Sequence, residues 1–231
     1  MDTIEYRERS VFLPDADALV VADLHVGRAS ASDVAFPLGE RRDLRDRLDA
    51  RLAAFDPGTV VFAGDVLHRF GTVTERSRET VAELAGACRD AGSEPVFVRG
   101  NHDAALDRVR DGVRDVYVAS EDPRVVVCHG HERPEIDADR YVIGHDHPAI
   151  AIEGRRRPCF LDAPDAHRGA DVLMLPAFSR AAAGVEINDA RGSDLQSPLL
   201  DRLDDARPIV YDGDAGKALA FPPLGEFRQL L

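Results

Sequence analysis

The chain has 231 residues, 44% of them hydrophobic, and a formal net charge of −13. That length suits one α/β domain with a modest appendage and buries a core without staples. The acid excess speaks against nonspecific nucleic-acid binding at low salt, and no apolar run approaches the ~18 residues of a membrane span.

Short apolar runs and helical stripes alternate along the first two-thirds. A strand near Val11-Phe12-Leu13 precedes a buried strand over 18–22. Leu44, Leu48, Leu52 and Phe55 mark one face of a helix over about 39–55, broken by Pro57-Gly58. A buried strand at 59–63 follows. Val81, Leu84, Ala85 and Cys88 form the stripe of a second helix, stopped at Gly92. A third strand runs from Pro95 to Val98, and a short helix lies around Leu106 and Val109. Strands are then expected at 115–118, 124–128, 140–143, 149–152, 158–161 and 171–175, with Arg155-Arg156-Arg157 in a hairpin turn. Residues 188–208 read as a loop or linker, and 208–221 as a hairpin turned by Gly213 and Gly216. Strand–helix alternation followed by strands implies a mixed-sheet α/β architecture, in two layers flanked by helices. The core spans about 11–180 of a single domain, with an appendage over about 185–231.

The three cysteines lack any CxxC spacing; Cys88 and Cys128 read as core thiols of a reducing compartment. The N-terminus has no signal-peptide pattern. A soluble, cytoplasmic protein with no membrane partner is expected. Lys217 is the only lysine. Arginine-rich basicity beneath a carboxylate excess points to a halophilic setting, where molar salt screens charge within ~3 Å.

Seven of the eight histidines stand at or just past the carboxyl ends of apolar runs, beside Asp, Asn or Gly. The blocks are Asp23-Leu24-His25, Gly64-Asp65-Val66-Leu67-His68, Gly100-Asn101-His102-Asp103, His129-Gly130-His131 and Gly144-His145-Asp146-His147; only His167 lies outside them. Open α/β sheets place ligands at strand carboxyl ends. Imidazoles and carboxylates converging there suit two divalent ions about 3.5–4 Å apart, a device for attacking phosphate esters. Taken alone, Asp65 could cap a helix, Asp103 could be an N-cap, and Gly64 could admit backbone to an ion. Five such blocks at one structural position are not five accidents.

In this ordered set the chain resembles the calcineurin-like metallophosphoesterase superfamily, with every block present across about residues 17–150. The resemblance implies a four-layer αββα sandwich with two mixed β-sheets and a hydrolase with a dinuclear metal centre. It implies Asp23, His25 and His147 as ligands of one metal, and Asn101, His129 and His145 as ligands of the other. Asp65 would bridge both ions, and His102 would meet the substrate phosphate and assist the leaving oxygen. Asp23-Leu24-His25-Val26-Gly27-Arg28, the ending at Pro148 and Leu175-Pro176-Ala177-Phe178 are similar to the ICC-like subgroup, some members of which are associated with a DNA ligase and helicase. The Asp65–His68 spacing resembles that of SbcD nucleases.

The expected activity is a phosphodiesterase acting on a nucleotide or DNA phosphodiester. Its cofactor would be two divalent ions, Mn²⁺ ahead of Fe, Zn or Ni. His68, His131, Arg28 and Asp103 are candidate substrate contacts or supports for the ligands. The rivals are few. A helical HD-domain phosphohydrolase does not place its pair after a strand, and an amidohydrolase barrel needs about 250 residues. A non-catalytic metal-binding interaction module would show missing ligands, and here none is missing.

Overall fold

The computed structural model describes residues 4–28, 39–68 and 73–229. A five-stranded sheet forms from β1 (Glu5–Arg7), β2 (Ser10–Leu13), β3 (Ala18–Val21), β4 (Thr59–Ala63) and β5 (Glu94–Val98), in that spatial order. Strands β3, β4 and β5 run parallel, joined by α1 (Glu40–Phe55) and α2 (Glu75–Asp90). Helix α1 ends before Pro57: Asp56 takes φ 46° and donates its N–H to Leu52 O. Thr74 caps α2 by accepting from Ser77 N. Strand β1 carries no apolar alternation, Glu-Tyr-Arg, and escaped the sequence pattern.

Next come β6 (Val116–Glu121), β7 (Arg124–Cys128), β8 (Arg140–Ile143), β9 (Ala149–Ile152), β10 (Arg155–Pro158), β11 (Phe160–His167), β12 (Ala170–Met174), β13 (Arg207–Asp212), β14 (Lys217–Ala220) and the short α3 (Leu224–Phe227). Seven of these strands make a second sheet in the order β14-β13-β11-β12-β8-β7-β6, with β7, β8 and β12 parallel at its centre. Strands β9 and β10 pair as a separate ribbon. Arg155, Arg156 and Arg157 therefore lie in a strand rather than in a turn. The turn is Glu153-Gly154, where both residues have positive φ.

Alternation along each strand builds three apolar seams. Val20, Val61, Val96, Val127, Val142 and Leu173 point between the sheets. Leu19, Val60, Phe62 and Phe97 point the other way, onto Leu44, Leu48, Val81 and Leu84 of the helices. On the far face of the second sheet, Val126, Tyr141, Ile143 and Met174 meet Leu195, Leu199, Leu200 and Leu203. The architecture is thus the four-layer αββα sandwich with two mixed sheets. Its last layer is mostly irregular chain with a 3₁₀ turn at Gly192–Asp194 and α3. Residues 188–208 are no linker: Leu199 and Leu200 are completely buried. Among the described residues no helix is long and apolar enough to cross a membrane.

Candidate metal centre

The carboxyl ends of β3, β4, β5, β7 and β8 meet at one edge of the seam. Two loops of the first sheet run side by side there. Asp23 N donates to Gly64 O, His25 N to Asp65 O, and His68 N to Val26 O, at 2.9–3.1 Å. Facing them, the loops after β7 and β8 bring His129, His145 and His147, and Gly144 N donates to His129 O.

Five of the seven expected ligands occupy left-handed backbone: Asp23 (φ 59°), His25 (49°), Asp65 (48°), His145 (82°) and His147 (53°). Each costs of order 1–3 kcal/mol unless its surroundings enforce it. Glycines make the room. A Cβ at Gly100 would stand 2.3 Å from Asp65 Oδ1, one at Gly144 2.4 Å from Asp23 Oδ2, and one at Gly64 2.4 Å from His129 Nδ1. Gly64 thus admits a ligand ring, where the sequence suggested backbone approaching an ion.

The polar atoms form two groups with Asp65 between them. On one side His147 Nε2 lies 3.1 Å from Asp23 Oδ1 and 3.3 Å from His25 Nε2. On the other, His129 Nε2 lies 3.0 Å from Asn101 Oδ1 and 3.3 Å from Asp65 Oδ1. Asp65 Oδ2 faces the remaining side, 4.0 Å from His25 Nε2 and 3.8 Å from His102 Nε2. The His145 ring stands 5.0 Å from that of His129, and its backbone N–H donates to Asp23 Oδ2.

These donor sets fit divalent cations. His129 Nδ1 lies 3.1 Å from Ala63 O, and a carbonyl only accepts, so Nδ1 carries hydrogen. Its Nε2 then confronts two oxygen acceptors, an arrangement that requires either a second proton or a metal ion. Without metal, burial opposes that proton, but the bond to Asp65 and the charge of Asp23 prevail and raise His129 to about 9. Asp23 Oδ1 is buried without a properly aimed donor. Burial works against its ionisation as well, and His147 and His129 outweigh it, holding the carboxyl below its ordinary range. Asp65 is likewise held low, against burial, by His129 and by the His102 N–H. Burial pushes His25 down to about 4, leaving a neutral imidazole. Anionic oxygens beside neutral ring nitrogens are what a mixed N/O metal site presents.

Around this cluster the other candidates separate. The His102 N–H donates to Asp65 Oδ1, and His102 Nδ1 lies 2.8 Å from His68 O, so that nitrogen too carries hydrogen. The His68 ring stacks on that of His102 at 5.8 Å. His131 sits 5.3 Å from His129, in a cleft of about 470 Å³ with Glu132 and Arg133. Arg28 donates its backbone N–H to His25 O, and among the described residues no side-chain contact joins it to the cluster.

Asp103 does not cap the short helix, whose N-cap is Ala105. Fully buried, it accepts from Val66 N, Leu67 N and Gly100 N at 2.9–3.2 Å, clamping the loops of Asp65 and Asn101 together. Burial raises it to about 6 despite those three donors. His167 lies outside the cluster, edge-on to Tyr141.

One supporting residue escaped the sequence reading. Asp146, between the two histidines, accepts from Gln196 N (2.8 Å) and Ser197 N (3.0 Å), while Ser197 Oγ donates to Gly130 O. The only sequence signal was an acid flanked by histidines, and its partners lie fifty residues away.

No curated protein sequence matches the chain significantly. Among solved structures, a Pseudomonas putida nuclease MPE is similar at TM-score 0.64 and 24% identity, covering 95% of this chain and 100% of that one. YfcE, a phosphoesterase from E. coli, is similar at TM-score 0.44 and 15% identity over 89% of this chain and 98% of that one. The family model of the calcineurin-like phosphoesterases matches residues 17–161, well over half of the chain. The chain belongs to the calcineurin-like phosphoesterase family, hydrolases acting on phosphoester bonds.

Proposed function

We propose that the protein is a phosphodiesterase with a dinuclear metal centre, hydrolysing a nucleotide or DNA phosphodiester. The observation that carries this reading is Asp65, whose two oxygens face different donor groups: Oδ1 the His129 and Asn101 side, Oδ2 the His25 and His102 side. Asp23, His25 and His147 would hold one ion, and Asn101, His129 and His145 the other. Bound divalent ions, for which Mn²⁺ suits the mixed donors, would bring the pKa of water toward neutrality and offset phosphoryl charge.

The chain's own acid is His102. Its Nδ1–H is held by His68 O, and its Nε2 lies 3.8 Å from Asp65 Oδ2. Water adds to phosphorus, the ester P–O bond breaks, and the departing oxygen takes the proton from Nε2 of the imidazolium. The resulting neutral ring takes up the proton that the attacking water sheds.

Charge favours the diester. Every ion-pair partner of Asp23 and Asp65 among the described residues is a histidine. A diester monoanion needs less compensation there than a monoester dianion. The nuclease described for the Pseudomonas putida relative agrees with a diester. Three buried free thiols, Cys88, Cys128 and Cys159, suit a reducing cytoplasm, and the −13 charge suits high salt. The test is kcat/KM for a diester over its matched monoester, with Mn²⁺ in molar KCl. A ratio above one is expected; one below one sinks the diesterase reading.

A further inference from the structure

Like charges crowd at one place in this acidic chain. Arg9, Arg156 and Arg180 line a recess of about 200 Å³ beside His147, and among the described residues no carboxylate lines it. Arg9 is fixed from behind by Ala177 O (2.7 Å) and Ser179 O (2.9 Å). Arg156 donates to Gly184 O, and Arg180 pairs with Asp43 at 3.2 Å. Next to them Arg47 lies over the Phe178 ring and shares Asp43 with Arg180 through its Nε at 3.0 Å, while both its terminal nitrogens are buried and lack a hydrogen-bond partner. Burial and then the charge of Arg180 lower the affinity of Arg9 for its proton, while Asp43 and Glu8 only partly compensate.

A second cluster of arginines carries its own carboxylates. The hollow of Arg41, Arg42, Arg45 and Arg76 also contains Asp46, Glu79 and Glu83, which pair with Arg41, Arg42 and Arg45. The recess at Arg9 is therefore not just another solvated face. Its excess of positive charge calls for an anion.

The recess also has an address. His147 belongs both to its wall and to the donor group with Asp23 and His25. Gly184, which holds Arg156, packs so tightly on His147 that a Cβ there would stand 1.9 Å from His147 O. An anion in the recess lies directly beside the metal centre without occupying it. Its volume is below the ~300–1,000 Å³ of sites that enclose a whole small molecule. A phosphate with part of its sugar fits that description.

We propose that Arg9, Arg156 and Arg180 bind a backbone phosphate adjacent to the scissile one, so that the substrate is a single-stranded polynucleotide and not a mononucleotide diester. The proposal rests on the phosphodiesterase reading and names its substrate class. A single strand is favoured because Asp23, Asp65 and His129 are almost fully buried. A flexible strand can bend its backbone into such a site more easily than a duplex.

The test uses binding as well as turnover. The whole protein is titrated into a labelled oligothymidylate of about 12 nucleotides, within the span of typical single-strand sites, and anisotropy is read at several salt concentrations. Arg156→Gln/Arg180→Gln changes two exposed side chains and leaves the internally anchored Arg9 alone. Arg42→Gln/Arg202→Gln removes equal charge at other exposed positions. The first variant should bind about tenfold more weakly, the cost of one lost charge-assisted contact. Its slope of log affinity against log salt should be shallower by about 0.7. Its kcat/KM should fall further for the oligonucleotide than for bis(4-nitrophenyl) phosphate, which has a single phosphate. Equal weakening by both variants, an unchanged salt slope, or no binding of oligothymidylate by the parent overturns the proposal. A parent that binds oligothymidylate but hydrolyses no diester removes the phosphodiesterase reading alone, and binding still decides the recess.

Discussion

The loops leaving the five-stranded sheet and those leaving the seven-stranded sheet face one another across the donor cluster, and they are held on different plans. The first sheet contributes the oxygens and one ring: Asp23, Asp65, Asn101 and His25. Its loops are clamped from within by Asp103, which accepts from Val66, Leu67 and Gly100. The second sheet contributes imidazoles alone: His129, His145 and His147. Its loops are clamped from outside by the Asp146–Gln196–Ser197–Gly130 chain of hydrogen bonds, which recruits the irregular fourth layer. Both clamps use a buried carboxylate that sits one residue from a site histidine. The difference teaches that the anionic half of the centre is organised locally, while the imidazole half depends on chain far along the sequence.

The comparison can be broken most severely at Asp65, the residue that faces both groups. Asp65→Ala should reduce turnover to background and lower bound metal below two ions per chain, read by elemental analysis. Retention of both metals and activity would remove Asp65 from the centre. His102→Ala acts on the same side without removing a proposed ligand. Turnover should drop about 10²–10⁴-fold with metal content intact; loss of metal instead would make His102 a ligand or a fold determinant.

A third measurement addresses the imidazole half by pH. His129 is raised to about 9 in the metal-free protein, and metal needs its Nε2 unprotonated. Apparent Mn²⁺ affinity should therefore fall about tenfold per unit below pH 9, or about 10²-fold from pH 8 to pH 6. Calorimetry in buffers of different ionisation enthalpy should show a proton released on binding. The sign reverses for the metal-free fold. A raised histidine contributes stability that is complete below its ordinary value of 6.5 and lost as pH rises through 9. Affinity independent of pH over this range would show that His129 is not protonated in the absence of metal.

The fourth and smallest effect sharpens the contrast between the clamps. Asp103→Asn and Asp146→Asn should each weaken metal binding or activity about 10–100-fold. In a stepwise metal titration, Asp103→Asn should weaken both binding events, because the loops of Asp65 and Asn101 hang from it. Asp146→Asn should distort His145 and His147 and leave Asp65 in place. Identical titrations from the two variants would show that the two plans are one.

What the sequence disclosed follows the same divide. The blocks that converge at the cluster were legible because each is contiguous and ends an apolar run, as in Val125-Val126-Val127-Cys128 before His129. The sandwich was legible because continuous apolar strands announce burial on both faces. Residues 188–208 read as a loop or linker because Leu195, Leu199, Leu200 and Leu203 follow no regular period; the chain is irregular there, but all four are buried against the second sheet. The Asp146–Ser197 clamp and the arginine recess join residues from distant elements, and no local pattern marks such a meeting. Asp103 carried a plausible local reading as a cap, and only the fold shows its donors to be the strand-end amides.

Each donor group takes atoms from both sheets: Asp23 and His25 with His147, Asp65 and Asn101 with His129. Two bound ions would therefore also act as a pair of rivets through the seam of the sandwich. A ligand that binds only the folded chain at 100 times its Kd adds about 2.7 kcal/mol to the work of unfolding it. Four of the riveted positions, Asp23, His25, Asp65 and His147, hold strained backbone that bound ions would help keep in place. With such a centre, the cell's supply of divalent ions would set how long each copy of the chain resists opening and proteolysis, as well as how fast it turns over.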